Sequence, residues 1–365
     1  MVMNDEKMTL RRCVHKKLRT LNQHFMVAAI PNKIKVKSTA RLHMGFFDLH
    51  GGLGRKFGGI GLSLAAPAVE LTAISAENKQ VQITGSPQIP AATVARASAI
   101  TEQLIKKLQH AGGVSLNILR HIPEHAGLGS GTQLALAIGV AINELYQLKL
   151  STAQIAELTG RGGRSGIGIA AFDHGGLLID GGRASNTATG KALSKVPPLL
   201  ARYDFPEQWR ILLILDTSRP GIHGENELEA FNRLPVFSEY LAAHLCRHVL
   251  MQAMPALVEQ DLTAFGNSIQ ELQAHVGDYF APAQGGRYAS PQIGAILLHL
   301  AHAGVACFGQ SSWGPTGFAV FENEAGAIGM LDTLQQKFAA FNNISYQIVR
   351  ASNTGATIQI SKEHT

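Results

Sequence analysis

The residues with the clearest chemical reading lie in AGLGSGTQLALAIG, residues 126–139. Gly127, Gly129 and Gly131, with the hydroxyls of Ser130 and Thr132, run straight into an apolar stretch composed like a buried helix. A helix N-terminus presents unpaired amides and partial positive charge, and glycines let an anion approach the backbone closely. The pattern reads as a phosphate cradle. No lysine follows the glycines, so it is not a Walker loop. The plain alternative is a glycine-rich helix start capped by Ser130 or Thr132.

A second segment, STARLHMGFFDLHGGLGRKFGGIGLSL at 38–64, sets Arg41, His43 and Asp48 in a glycine-dense setting between strands, which suits ligand contact. A third, GRGGRSGIG at 160–168, carries Arg161 and Arg164 beside Ser165, and guanidinium forks match phosphate or carboxylate oxygens. FGQSSWGPTGF at 308–318 reads as a strand, a polar turn and a strand. Two histidine pairs are read as structural. Pro123 lies between His121 and His125, and His244 and His248 share a helix face with no acidic partner nearby.

The elements that must hold these residues follow from periodicity. Short β-branched runs between glycine-rich turns fill 33–70, and a helix is expected over 92–110 from apolar positions Val94, Ala97, Ile100, Leu104 and Leu108. VSLNIL is a strand, 133–148 a buried helix, and Ser151 caps a short one. WRILLILD opens a second half with helices near 225–233, 237–253, 257–275, 290–303 and 324–340 and strands at 305–309, 316–321 and ISYQIV. Strands interleaved with helices without regular βαβ spacing predict an α+β fold. Its 365 residues suit two domains, 33–190 and 205–365, behind a basic N-terminal arm at 1–32.

Hydrophobic residues make up 45% and charged ones 16%, as expected of a globular protein. The net charge of +6 is concentrated in residues 1–37, leaving a nearly neutral body that argues against a nucleic-acid footprint. The arm reads as a disordered tail, an early start with Met26 as the alternative, or a transit peptide. Cys13, Cys246 and Cys307 form no CxxC pair, and no apolar run suits a membrane span, so a cytoplasmic location is expected.

HIPEHAGLGSGTQLALA resembles the central phosphate-binding motif of the GHMP kinase superfamily, the segment from Ser38 its first motif, and FGQSSWGPTGF its C-terminal glycine-rich motif. The resemblance implies a two-domain α+β fold with a left-handed β-α-β unit in the N-terminal domain and a ferredoxin-like C-terminal domain. Two departures count against a kinase. Gly168 stands where many of these kinases carry a catalytic aspartate, and Arg41 where the first motif often has lysine. Within the superfamily the four segments together are similar to the β-ribofuranosylaminobenzene 5'-phosphate synthase family. The resemblance implies condensation of phosphoribosyl pyrophosphate with 4-aminobenzoate, releasing pyrophosphate and carbon dioxide, in tetrahydromethanopterin biosynthesis. Arg41, His43 and Asp48 are then expected to act in catalysis. Gly127, Gly129, Ser130, Gly131 and Thr132 would bind phosphate with Mg²⁺ bridging it, and Arg161, Arg164 and Ser165 would bind substrate. A homodimer would fit the superfamily. An ATP-dependent small-molecule kinase and a non-catalytic sensor of a phosphorylated metabolite are the alternatives.

Overall fold

The computed structural model describes residues 33–76, 80–109, 112–184, 196–218, 221, 229, 231 and 233–361. The expected basic arm and most of the helix expected at 225–233 lie outside the described residues.

The first sheet begins with β1 (Lys33–Asp48), which alternates outward lysines with buried Ile34 and Val36. A short strand β2 (Arg55–Lys56) precedes β3 (Gly58–Ala76), the antiparallel partner of β1. Register shifts at Thr39/Arg41, His43/Gly45 and Phe46/Asp48 interrupt that pairing. Bulges of this kind re-aim side chains, and these three fall on the residues of the first motif. Next come β4 (Val81–Gly85), α1 (Ala91–Leu108) and β5 (Gly113–Arg120), where β4 and β5 pair in parallel across the helix.

Helix α2 (Ser130–Leu145) has twelve buried positions, as its apolar composition requires. Gln133 is a fully buried polar residue among them. It accepts from Ser38 and donates to the Gly168 carbonyl at 2.6 Å, tying the first and third motifs to the start of α2. Helices α3 (Thr152–Leu158) and α4 (Ile167–Asp173) lead to β6 (Leu177–Asp180), β7 (Arg183–Ala184) and β8 (Leu199–Tyr203). Ser151 caps α3 with a full capping box, as its sequence predicts.

The second sheet is built from β9 (Arg210–Asp216), β10 (Cys307–Gln310), β11 (Thr316–Phe321) and β12 (Ile344–Val349) in the order β10-β11-β9-β12. That is the ferredoxin-like order. The helices are α5 (Glu239–His248), continued by a π-helical turn at Val249–Ala253, then α6 (Met254–Glu259), α7 (Leu262–Gln284), α8 (Pro291–His302) and α9 (Glu324–Lys337). The helix expected over 257–275 is two helices. Gln260 takes φ 60° and the Asp261 carboxylate caps a fresh start by accepting from the Ala264 amide at 2.9 Å.

The expected second domain, 205–365, needs correction at its end. Strand β13 (Thr357–Ser361) returns to the first sheet and pairs with β1, Lys33 opposite Ser361. One hydrophobic cluster runs from Leu42 and Leu136 through Trp209, Phe265 and Phe318, so both halves share a core. Among the described residues no helix is long and apolar enough to cross a membrane.

Candidate active site

The residues expected to form a phosphate cradle lie together in the structure. Gly127, Gly129, Ser130, Gly131 and Thr132 line one open cleft together with Arg41, Arg96 and Arg161. Gly129 is the N-cap of α2 at φ 83°, and helix geometry leaves the amides of Ser130 and Gly131 without carbonyl partners inside the helix. The guanidinium groups crowd that turn. A Cβ placed on Gly131 would sit 2.3 Å from Arg96 Nη2 and 3.3 Å from Arg161 Nη1, and one on Gly129 would sit 3.2 Å from the Arg41 side chain. Burial, and then the neighbouring Arg96, lower the pKa of Arg161. Its Nε is buried without a hydrogen-bond partner among the described residues. Cations held this close favour an anion between them.

Arg96 escapes the reading of the sequence, because the periodicity of α1 points to its apolar face. The available signal is that Arg96 is the one charged residue in AATVARASAIT, residues 91–101.

A narrower cavity adjoins the cleft, and the two share Ser312 and Trp313. Its walls are His43 and Phe46 from β1, Gln273, Val276, Phe280 and Gln284 from α7, with Gln310 and Arg287. The rings of Phe280 and Trp313 lie 4.2 Å apart and those of His43 and Phe46 4.5 Å apart. This is an aromatic slot. Arg287 is engaged by Asp278 through two contacts of 2.7 Å.

His43 is buried. Burial, and then the charge of Arg41, push its pKa down to about 3, so the imidazole is neutral at working pH. Its Nε2, like Nε1 of Trp313, is buried without a hydrogen-bond partner among the described residues. Unsatisfied buried donors and acceptors cost about 1–3 kcal/mol each, and both of these residues line the slot.

Ser311 joins the pieces. Its hydroxyl accepts from the His43 amide at 3.0 Å and donates to the Gly127 carbonyl at 2.8 Å, while the Ser312 amide donates to the His43 carbonyl. Arg41 also reaches the Gly127 carbonyl, and its amide donates to Leu128 O. The C-terminal turn meets the cradle backbone to backbone. A Cβ on Gly314 would lie 2.3 Å from Gly127 N, so no other residue fits there.

Three expected site residues are placed elsewhere. Asp48 accepts from the amides of His50 and Gly51 at 2.9 and 3.0 Å, a turn-forming role, and lines neither cavity. Ser165 bonds to Asp180 Oδ2 at 3.0 Å. Asp180 also accepts from the amides of Gly166 and Gly182, and burial raises its pKa to about 6 against those hydrogen bonds. Together they hold the loop that delivers Arg161. Arg164 stacks over the ring of Phe231 at 5.5 Å and faces the aromatic cluster rather than the cradle.

One reading of the histidine pairs also changes. Glu271 on α7 is the acidic partner that His244 and His248 lack in sequence, 3.2 Å from His244 Nε2.

Neutral His43 makes stability pH-dependent. Its folded pKa lies below the unfolded value near 6.5, so its contribution is complete above about pH 6.5 and is lost as pH falls. The stability advantage of the wild type over His43→Phe is expected to shrink by about 2 kcal/mol between pH 7 and pH 5. Urea titrations at the two pH values measure it, and parallel curves would reject a neutral buried imidazole.

Residues 93–176 match the family described as GHMP kinases N terminal domain, and residues 253–340 match GHMP kinases C terminal. A protein of Archaeoglobus fulgidus named beta-ribofuranosylphenol 5'-phosphate synthase is 36% identical over 335 residues, covering 90% of this chain and 100% of the relative. One of the same name from Methanothermobacter thermautotrophicus is 32% identical over 304 residues, covering 80% and 90%. Among solved structures, the homoserine kinase of Cytophaga hutchinsonii superposes with a TM-score of 0.64 at 16% identity, covering 92% of this chain and 100% of that one.

Proposed function

The chain belongs to the beta-ribofuranosylphenol 5'-phosphate synthases of the GHMP kinase superfamily, and from that membership we propose that it joins C1 of phosphoribosyl pyrophosphate to the ring of a para-substituted benzoate. Pyrophosphate and carbon dioxide leave. The observation that carries this reading is the pair of adjoining cavities, one cationic and one aromatic, with Ser312 and Trp313 in both walls.

Each residue then has a task. Arg41, Arg96, Arg161 and the first amides of α2 hold the departing pyrophosphate and stabilise its growing charge. The ribosyl centre left behind is oxocarbenium-like, and the ring carbon bearing the carboxylate attacks it at the junction of the cavities. The new carbon–carbon bond forms with ring electrons. The electrons of the breaking bond to the carboxylate return to the ring as carbon dioxide leaves, so the step needs no proton acceptor. The aromatic slot orients the acceptor and excludes water that would otherwise capture the cation. Neutral His43 in the wall of the slot withholds the positive charge that would anchor the carboxylate and oppose its loss.

A para substituent with a lone pair is required to make that carbon nucleophilic. The relatives' name places a phenol in their product, so 4-hydroxybenzoate stands beside 4-aminobenzoate as the acceptor. We propose that the reaction belongs to tetrahydromethanopterin biosynthesis. The kinase alternative is disfavoured by Gly168, where a Cβ would lie 3.1 Å from Thr132 Cγ2, and by the lack of any carboxylate among the described residues that line either cavity. The same lining does not fit a resident Mg²⁺, which prefers carboxylate and water oxygens. We propose that Mg²⁺ arrives chelated by the pyrophosphate of the substrate.

The test is turnover with carboxyl-labelled 4-hydroxybenzoate and 4-aminobenzoate in separate reactions, each with phosphoribosyl pyrophosphate. One labelled carbon dioxide per pyrophosphate is expected with at least one acceptor, without ATP. Label retained in an O- or N-ribosyl product would reject the carbon-glycoside reaction.

A further inference from the structure

We propose that His244, His248 and Glu271 form a binding site for a borderline transition-metal dication of the Zn²⁺ class, pinning α5 to α7 outside the reaction site. The three residues bring one ligand atom each to within 4.8 Å of one another. His244 and His248 lie one helical turn apart on α5, their rings 4.5 Å between centroids. Glu271 comes from α7, with Oε2 3.2 Å from His244 Nε2. That spacing already suits tetrahedral neighbours on bonds of roughly 2.0–2.2 Å. His275 Nε2 stands 3.3 Å from the same carboxylate oxygen and helps hold it in place.

A separate observation points to a ligand on His248. Gln252 Oε1 lies 3.1 Å from His248 Nδ1. A carboxamide oxygen can only accept, so it places the proton on Nδ1 and leaves the Nε2 lone pair available, as metal-bound imidazoles require. Gln252 sits in the π-helical turn at Val249–Ala253, and Ser268 Oγ on α7 lies 3.0 Å from the same Oε1. Such turns are rare and often mark functional positions. This one sets the outer partner of His248.

The donor set selects the ion. Two imidazoles and one carboxylate suit Zn²⁺, Co²⁺ or Ni²⁺, whereas Mg²⁺ prefers oxygen alone. With side chains 31% and 44% exposed at His244 and Glu271, water can complete the coordination. Glu271 lies half a turn before Gln273, which donates to the Gln310 carbonyl at 3.0 Å in the aromatic slot, so a bound ion would brace the helix that forms that wall.

The experiment uses the full chain stripped with EDTA. Calorimetry with Zn²⁺ is expected to show a site with micromolar or tighter Kd, accompanied by a rise in Tm, and Co²⁺ is expected to give visible absorption of low-coordinate nitrogen and oxygen ligation. In His244→Ala/His248→Ala the stoichiometry should fall by one ion per chain, and the Tm rise should vanish while metal-free Tm and synthase activity stay unchanged. Gln252→Ala should weaken Zn²⁺ about 10- to 100-fold. Millimolar Mg²⁺ should not compete. Unchanged stoichiometry in the double variant, only millimolar affinity in the wild type, or displacement by Mg²⁺ would overturn the site.

Discussion

Arg96→Ala is expected to lower kcat/KM for phosphoribosyl pyrophosphate by about a hundredfold, close to 3 kcal/mol of lost transition-state stabilisation. Arg96 sits over the Gly131 turn with Arg161, and Glu124, its ion-pair partner among the described residues, is 3.6 Å away, so that pairing is a loose one. A pyrophosphate between two half-buried guanidinium groups completes the charge balance, and it gains further as its charge grows on leaving. Arg96→Lys should recover only part of the loss, because an ammonium group cannot reproduce the planar fork. Arg164 supplies the internal contrast. It stacks on Phe231 away from the cleft, so Arg164→Lys should leave kcat/KM within a few-fold of wild type. Steady-state kinetics on the variants decide the matter, and equal losses at Arg161 and Arg164 would dissolve the distinction between cradle and aromatic wall.

Gly129→Val should abolish measurable binding of phosphoribosyl pyrophosphate. Gly129 holds φ 83°, a conformation that costs an L-residue roughly 1–2 kcal/mol and a β-branched one more. Its added Cβ would also stand 3.2 Å from Cγ and 3.3 Å from Nε and Cζ of Arg41, so relieving the contact means moving an arginine of the cradle. Backbone and cation are disturbed together. Ser130→Ala removes one hydroxyl and leaves the amides in place, so only a several-fold loss is expected. Calorimetry on both variants, with circular dichroism to verify folding, reads the difference. Wild-type affinity in folded Gly129→Val would refute the cradle.

The cradle was legible because its chemistry is local. Glycines, hydroxyls and the start of an apolar helix are consecutive, so their spacing carries the geometry. Order along the chain also marked Arg41, His43 and Arg161. The aromatic slot was not legible. It is made by Phe46 on β1, Phe280 on α7 and Trp313 in the C-terminal turn, side chains that ordinary core packing would equally explain. Asp48 and Ser165 misled for a physical reason, since short polar side chains in glycine-rich loops as readily close turns as bind ligands. Glu271 lies in a different helix from His244, and only packing of α5 on α7 brings the two together. Strand β13 gave little signal because TIQIS is exposed along its whole length and has no buried face to impose a pattern.

That last strand has a consequence for how the chain is made. Ile34 and Val36 begin the first sheet, yet the segment that covers their outer edge, Thr357–Ser361, follows the whole second domain along the chain. While the intervening chain leaves the ribosome, β1 presents an open edge of backbone donors and acceptors, the kind of edge that recruits strands from other molecules. The lysines at 33, 35 and 37, which point away from the buried face, put like charges along that edge and discourage two nascent copies from pairing. Completion of the first sheet therefore waits on the whole second domain, and a ribosome stalled before residue 357 would hold a chain whose earliest strand is still without its final neighbour.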